Sequence, residues 1–405
     1  MRRLMSWAVL VVIFTLPLEN VVQVGATTRI SKVVGIGASV LWALTVAVTG
    51  RIRKPLPFHL AVVSFALWNL ASVFWTTNLS ATLLQSFTYV QLALLVYILW
   101  DTLRTYQSLR AAMQAYVLGA WVSVISLFIG YERAGAEYLG RLTVGTFEVN
   151  ALGLVLGLGI PFAWYLVVGT SSRRRHRLLA ALNLAYVPAA VIAVMLTGSR
   201  SAILSLLPVL VYIALGLVRL GVSRRALAAF ILAVVGVFLT TTPLVPQKTV
   251  ERLTSTPTAI TQGNIGGRLN TWRDAYDTFS EHPVVGTGSG TFVAATTQRA
   301  AHNVALRFLA ELGLVGLGLF ALILVFTVSN VRHQPKALAG LWISLLLMWA
   351  MGAAVHNFED RKQTWLVFGL AAVGAGLSSD AVRGQTTPSV RLGRRYSVDA
   401  TKRGP

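Results

Sequence analysis

The chain contains no cysteine. Disulfides, thiolate nucleophiles and thiolate metal ligands are therefore excluded. Charge is also scarce. Only 12% of the 405 residues are charged, and acidic residues number 14 against 35 basic ones. The sequence has no convincing internal repeat, so a transporter built from inverted halves gains no support. It offers no contiguous basic face interleaved with aromatics, which makes nucleic acid a poor explanation for the net charge of +21. His282, His302 and His356 match no compact ligand spacing, so no metal site is expected. Gly286-Thr287-Gly288-Ser289-Gly290 looks like part of a dinucleotide fingerprint, but no parallel strand precedes it.

What the sequence has is apolar length. Apolar residues make up 55% of it, in runs near or above what a bilayer crossing requires. About twelve such runs can be counted, at 5–24, 31–50, 57–75, 81–100, 111–130, 147–169, 177–196, 200–219, 225–243, 303–329, 337–355 and 363–379. The expected fold class is an all-α polytopic membrane protein. Met1-Arg2-Arg3 before an apolar stretch resembles a signal peptide, and Val24-Gly25-Ala26 is a weak cleavage site. The length of that stretch and the bundle after it favour an uncleaved first helix.

Charge sets the expected orientation. With Met1 in the cytoplasm, the even-numbered connections and both tails hold 22 of the 35 basic residues and three of the 14 acidic ones. That distribution obeys the positive-inside rule. Both termini are then cytoplasmic, and the excess charge is mainly a topology signal. Most connections are short. The exception, 244–302, separates a block of nine spans (1–243) from a block of three (303–379), on the outer face. Within it Arg268, Trp272, Ala275 and Phe279 recur at helical spacing, which predicts an amphipathic helix on the membrane surface, ended by His282-Pro283. The tail, 380–405, is rich in Arg, Ser, Thr and Pro and is expected to be disordered.

Thirteen basic residues remain outside, several in short motifs at helix ends. In Thr197-Gly198-Ser199-Arg200-Ser201-Ala202, Gly198 permits a tight turn and Arg200 falls near a helix start, where a guanidinium suits a phosphate. The bland alternative is an arginine that snorkels to lipid head groups. Arg141 precedes the sixth span and could equally balance Glu137 or Glu148. Arg268 follows Gly266-Gly267, where a solvated surface charge is the default. His302-Asn303 precedes the tenth span. A histidine there can simply cap the helix, or serve as a general base near neutral pH. Asp360, beside Arg361 and Lys362, is either neutralised locally or orients a catalytic group.

These residues and their order resemble the O-antigen ligase and polymerase superfamily, bacterial membrane proteins that handle lipid-linked glycans. The resemblance rests on Thr-Gly-Ser-Arg-Ser-Ala at 197–202, on the Gly-Arg, Trp, Ala, His-Pro and Gly-x-Gly positions from 267 to 288, and on Ala-His-Asn through Leu-Ala-Glu-Leu-Gly-Leu-Val-Gly at 301–316. It implies a membrane glycosyltransferase of the GT-C kind that needs no metal or other cofactor. The implied donor is a glycan on undecaprenyl diphosphate at the periplasmic leaflet of the inner membrane. The implied acceptor is lipid A–core or another glycan, with membrane lipids as the remaining partners. Carried over by motif, His302 is the catalytic histidine and Arg200 and Arg268 are catalytic arginines. Arg141, Asp360 and Asn303 are expected to contact substrate, Arg141 and Asp360 by topology alone. Ligase activity is the leading expectation and polymerase the runner-up. A protein-targeted oligosaccharyltransferase comes third, and a lipid-linked glycan transporter is the alternative from another class. A transporter would place ionisable residues deep in the spans, whereas here they collect at the outer ends, with Glu19 and Glu311 the main exceptions.

Overall fold

The computed structural model describes residues 1–19, 21, 23–24, 28–134, 142–145, 148–168, 177–223, 225, 232, 236, 268–295 and 302–386. The chain there is almost entirely helical: α1 (Arg2–Thr15), α2 (Ile30–Thr49), α3 (Pro57–Ala71), α4 (Leu79–Thr102), α5 (Tyr106–Ala134), α6 (Val149–Val168), α7 (Arg177–Leu196), α8 (Arg200–Ser205), α9 (Leu207–Arg219), α10 (Arg268–Glu281), α11 (Thr291–Ala295), α12 (Val304–Arg332), α13 (Lys336–Ala353) and α14 (Lys362–Thr386). A two-residue ladder pairs Gln23–Val24 with Thr28–Arg29. Among the described residues nine segments are long and apolar enough to cross a membrane. The all-α polytopic class therefore holds, and the count of twelve does not follow from these residues. The first expected span is helical for only the 14 residues of α1 before a turn. The run at 225–243 lies outside the described residues except for three positions. The last helix continues beyond Asp380 to Thr386.

Local chemistry marks the helix ends. Asn78 caps α4 by accepting from the Ala81 amide at 3.1 Å, and Gly50 closes α2 in the left-handed region. Exposure then separates lipid-facing helices from the interior. On α2, Val33, Ile36, Val40, Leu44 and Val48 are all exposed at helical spacing, a face suited to hydrocarbon surroundings. By contrast α6 is apolar on every side and buried over most of its length. It packs against α5, α7, α8 and α13. Its small residues allow close approach: a Cβ on Gly153 would lie 2.6 Å from the Ala202 Cβ, so α6 fits directly against the turn that carries Arg200. Tyr116 and Tyr186 donate their hydroxyls to the Val155 and Leu156 carbonyls, giving the buried phenols acceptors.

The tenth expected span, α12, is broken. Gly313 has φ 65° and ψ −165°, a conformation in practice reserved for glycine. The interruption strands amides and carbonyls that an apolar setting must satisfy. The segment following α10 supplies the partners. Leu314 and Val315 donate their amides to the Pro283 and Val284 carbonyls. The Thr287 and Gly288 amides in turn donate to the Ala310 and Glu311 carbonyls, at 3.1 and 2.8 Å. Trp68 of α3 donates its indole N–H to the Leu312 carbonyl. On the other side of the loop, Ser289 donates its hydroxyl to Asn69 Oδ1 at 2.6 Å. The amphipathic helix expected from the sequence is α10, and its apolar side is seated on protein: Ala275 packs with Phe292, Ala310 and Leu306.

A methyl group at position 313 would meet the Val284 carbonyl oxygen. Gly313→Ala should therefore cost about 1–3 kcal/mol from backbone strain alone, before any clash is counted. Gly318, on the same helix, has nothing within 4 Å of an added Cβ. Gly318→Ala should leave the melting temperature in detergent unchanged or slightly raised. Equal melting temperatures for the two variants would refute this account of the break.

Candidate functional site

Three chain segments meet at one end of the bundle: the turn between α7 and α8, the start of α12, and the turn between α13 and α14. Gly198 (φ 61°) reverses the chain after α7. Ser199 then caps α8, its hydroxyl oxygen accepting from the Ala202 amide. This puts Arg200, half-buried, at the first helical position. Leu142, the residue after Arg141, donates its amide to the Leu196 carbonyl just before the same turn.

His302 enters from α12. Asn303 caps that helix, its side-chain oxygen accepting from the Leu306 amide at 3.1 Å, and its Nδ2 donates to the Ala354 carbonyl at the end of α13. The cap leaves His302 at φ 50°, the one non-glycine with positive φ among the described residues. That backbone costs about 1–3 kcal/mol and persists only where the surroundings impose it. The His302 ring stays half-exposed and stands edge-on to His356, with centroids 5.9 Å apart and planes at 89°. His356 is 4% exposed, and its Nε2 lies 2.5 Å from the Ser201 hydroxyl. Arg200, Ser201, His356 and His302 thus form one continuous group.

Behind this group lies a buried ion cluster. Arg307, one turn beyond His302 along α12, pairs through Nη1 with Glu359 Oε1 at 2.6 Å and Asp360 Oδ2 at 3.3 Å, and through Nε with Glu311 Oε2 at 3.2 Å. Glu311 Oε2 also accepts from the Gly290 amide, and the Trp365 indole donates to the Glu359 carbonyl. Three carboxyls therefore face one guanidinium, with Glu311 and Glu359 buried and Asp360 partly exposed. Burial pushes the Glu359 carboxyl up to about 7, against the pull of Arg307 and with the help of Asp360. The short Arg307 contact favours an ionised Glu359, whereas burial favours a neutral one. The charge count reconciles them, because a cluster with three carboxyls and one cation retains a proton near neutral pH. Farther along, Lys362 at the start of α14 donates to Glu19 Oε2 at 2.9 Å and to the Ser31 hydroxyl at 2.7 Å. Burial opposes ionisation of Glu19, yet Lys362 holds its carboxyl below the usual range.

Of the residues singled out from sequence, His302, Asn303 and Arg200 come together here. Asp360 is close by but turned to Arg307, not to His302. Arg268 begins α10; its side chain and the whole of Arg141 lie outside the described residues. Sequence reading passed over Ser201 and Arg307 and gave His356 no role. The available signal was Arg307 with Glu311 at i,i+4 inside an apolar run, since charges at such positions need partners.

Because Glu359 gives up its proton at a higher pH in the folded protein than in the unfolded chain, the fold binds the extra proton between about 4.5 and 7. Stability from this group is greatest below that window and is lost as pH rises through it. The melting temperature of the wild type in detergent should fall more between pH 5 and pH 7.5 than that of Glu359→Gln. Parallel pH dependence in the two proteins would refute the shared proton.

Comparison with curated proteins gives no match. A family model described as O-antigen ligase (Wzy_C) matches residues 185–321. That interval takes in the α7–α8 turn with Arg200, all of α10, and the start of α12 with His302, Arg307 and the Gly313 break. This segment is similar to the O-antigen ligase family, and His356, Glu359 and Asp360 lie beyond it.

Proposed function

We propose that the chain is a glycosyltransferase that moves a polysaccharide from undecaprenyl diphosphate to lipid A–core at the periplasmic face of the bacterial inner membrane. The coarser part of this reading rests on the family match and the membrane-length helices: a multi-pass protein with a ligase-like activity on lipid-linked glycans. The finer part rests on one observation, the convergence of the half-exposed His302 with the helix start bearing Arg200.

The chemistry follows from the roles these groups can fill. A sugar hydroxyl is a weak nucleophile until a base within hydrogen-bond reach accepts its proton. In this reading His302 takes that proton while the acceptor oxygen bonds to the anomeric carbon of the donor. The bond from that carbon to the diphosphate oxygen breaks, and the lipid diphosphate leaves with the electron pair. The incoming oxygen attacks opposite the leaving group, so the configuration inverts. Negative charge grows on the departing diphosphate, and Arg200 offsets it, with Arg268 and Arg141 given the same task by their place in the sequence. Asn303 holds the turn that presents His302, and Asp360 acts through Arg307. The imidazolium then releases its proton to water.

The test incubates purified protein in detergent with undecaprenyl-diphosphate-linked glycan and lipid A–core, and resolves the products on a gel. Glycan should appear on lipid A–core. His302→Ala should lower the rate by about 10²–10⁴-fold, the usual contribution of a general base. Arg200→Ala should lower it by about 10²–10³-fold, as for loss of one group that stabilises developing charge. Longer glycan remaining on the undecaprenyl carrier would identify a polymerase. No transfer of either kind by the folded wild type would overturn the enzyme reading.

A further inference from the structure

We propose that His356 is a positioning residue that fixes His302 relative to Arg200; this rests on the reading of His302 as the base. Three observations carry it. First, His356 is nearly inaccessible, whereas the His302 ring that it abuts is half-exposed. A buried imidazole cannot reach an acceptor hydroxyl, so its influence passes through a neighbour. Second, its Nε2 is within 2.5 Å of the hydroxyl of Ser201, the residue directly after Arg200. Third, His302 has a backbone conformation that its neighbours must enforce, and the His356 ring stands perpendicular against it.

The Ala202 amide donates to the Ser199 hydroxyl, and Ser199 and Ser201 hydroxyls lie 3.2 Å apart. The Ser201 hydroxyl and His356 Nε2 share a hydrogen bond in which either can donate. That bond holds the His356 ring, which offers a fixed flat wall to His302. The same ring ties the first turn of α8 to the residue preceding α12. Base and cation are thereby kept in register although more than one hundred positions separate them. A mismatch of about 1 Å between reacting groups can cost on the order of 100-fold in rate.

The experiment compares His356→Leu, His356→Gln, Ser201→Ala and the His356→Leu/Ser201→Ala double variant, using undecaprenyl-diphosphate glycan and lipid A–core as substrates. His302→Ala is run as a separate arm. The expected result is a fall in kcat of about 100-fold for His356→Leu, with KM within about threefold of wild type. Ser201→Ala should lower kcat in the same sense, and the double variant should be no worse than His356→Leu. A glutamine amide can still meet the Ser201 hydroxyl, so His356→Gln should recover most of the loss. Wild-type kcat in folded His356→Leu, a loss confined to KM, or fully additive effects would each overturn the proposal. Should His356→Leu fail to fold, Ser201→Ala decides, and an unchanged kcat overturns it. Activity retained in His302→Ala is a different result, since it removes the base reading itself.

Discussion

A single buried guanidinium joins the segments around the candidate site. Arg307 is 3% exposed and contacts carboxyls from α12 itself and from the turn between α13 and α14. Through Glu311 it also reaches the Gly290 amide of the loop that follows α10. Burying such a charge costs several kcal/mol unless its hydrogen bonds are met, and removing one partner from a buried pair costs about 3–5 kcal/mol. The cluster is therefore poor evidence of net stability but a strong constraint on arrangement. The α13–α14 turn cannot move away from α12 without leaving charge unpaired in an apolar interior. His302 and His356 sit on the two segments so joined, and their edge-to-face contact follows from that closure.

A second constraint acts through the backbone. A helix interrupted inside a membrane-length segment must return its freed amides and carbonyls to some partner. Gly313 makes the interruption, and the 283–288 stretch answers it with amides and carbonyls in both directions. That reciprocity fastens the segment after α10 to the protein. It also explains the three glycines at 286, 288 and 290, all with positive φ: Glu311, Thr76 and Ala81 approach too closely for side chains there. The glycine run that superficially suggested nucleotide binding is a docking strip.

How much of this was legible from the residues depends on range. The spans were, because a run of apolar side chains is a local property; eight of the expected runs reappear as helices within a few residues, and another as a helix broken at one glycine. The caps at Ser199 and Asn303 were partly so, through residue type at helix starts. The first expected span was read too long because apolar character alone does not show that the chain turns after Thr15. Partnerships were not legible. Arg307 with Glu359 spans 52 positions, and Ser201 with His356 spans 155. No periodicity encodes such distances. For the same reason the pairing of Asp360 with Arg307, 53 positions away, was not legible either.

The two layers of the site divide the electrostatic work. The inner layer sets three carboxyls against a buried arginine, and two of them, Glu311 and Glu359, are buried with it. The outer layer has Arg200 and His302, both half-buried, so that a ligand can reach them. A catalytic group that must change protonation each cycle needs contact with water, whereas a group that sets geometry benefits from its exclusion. Were the arrangement reversed, an exposed Arg307 cluster would be screened and loose, and a buried His302 could neither receive nor release a proton.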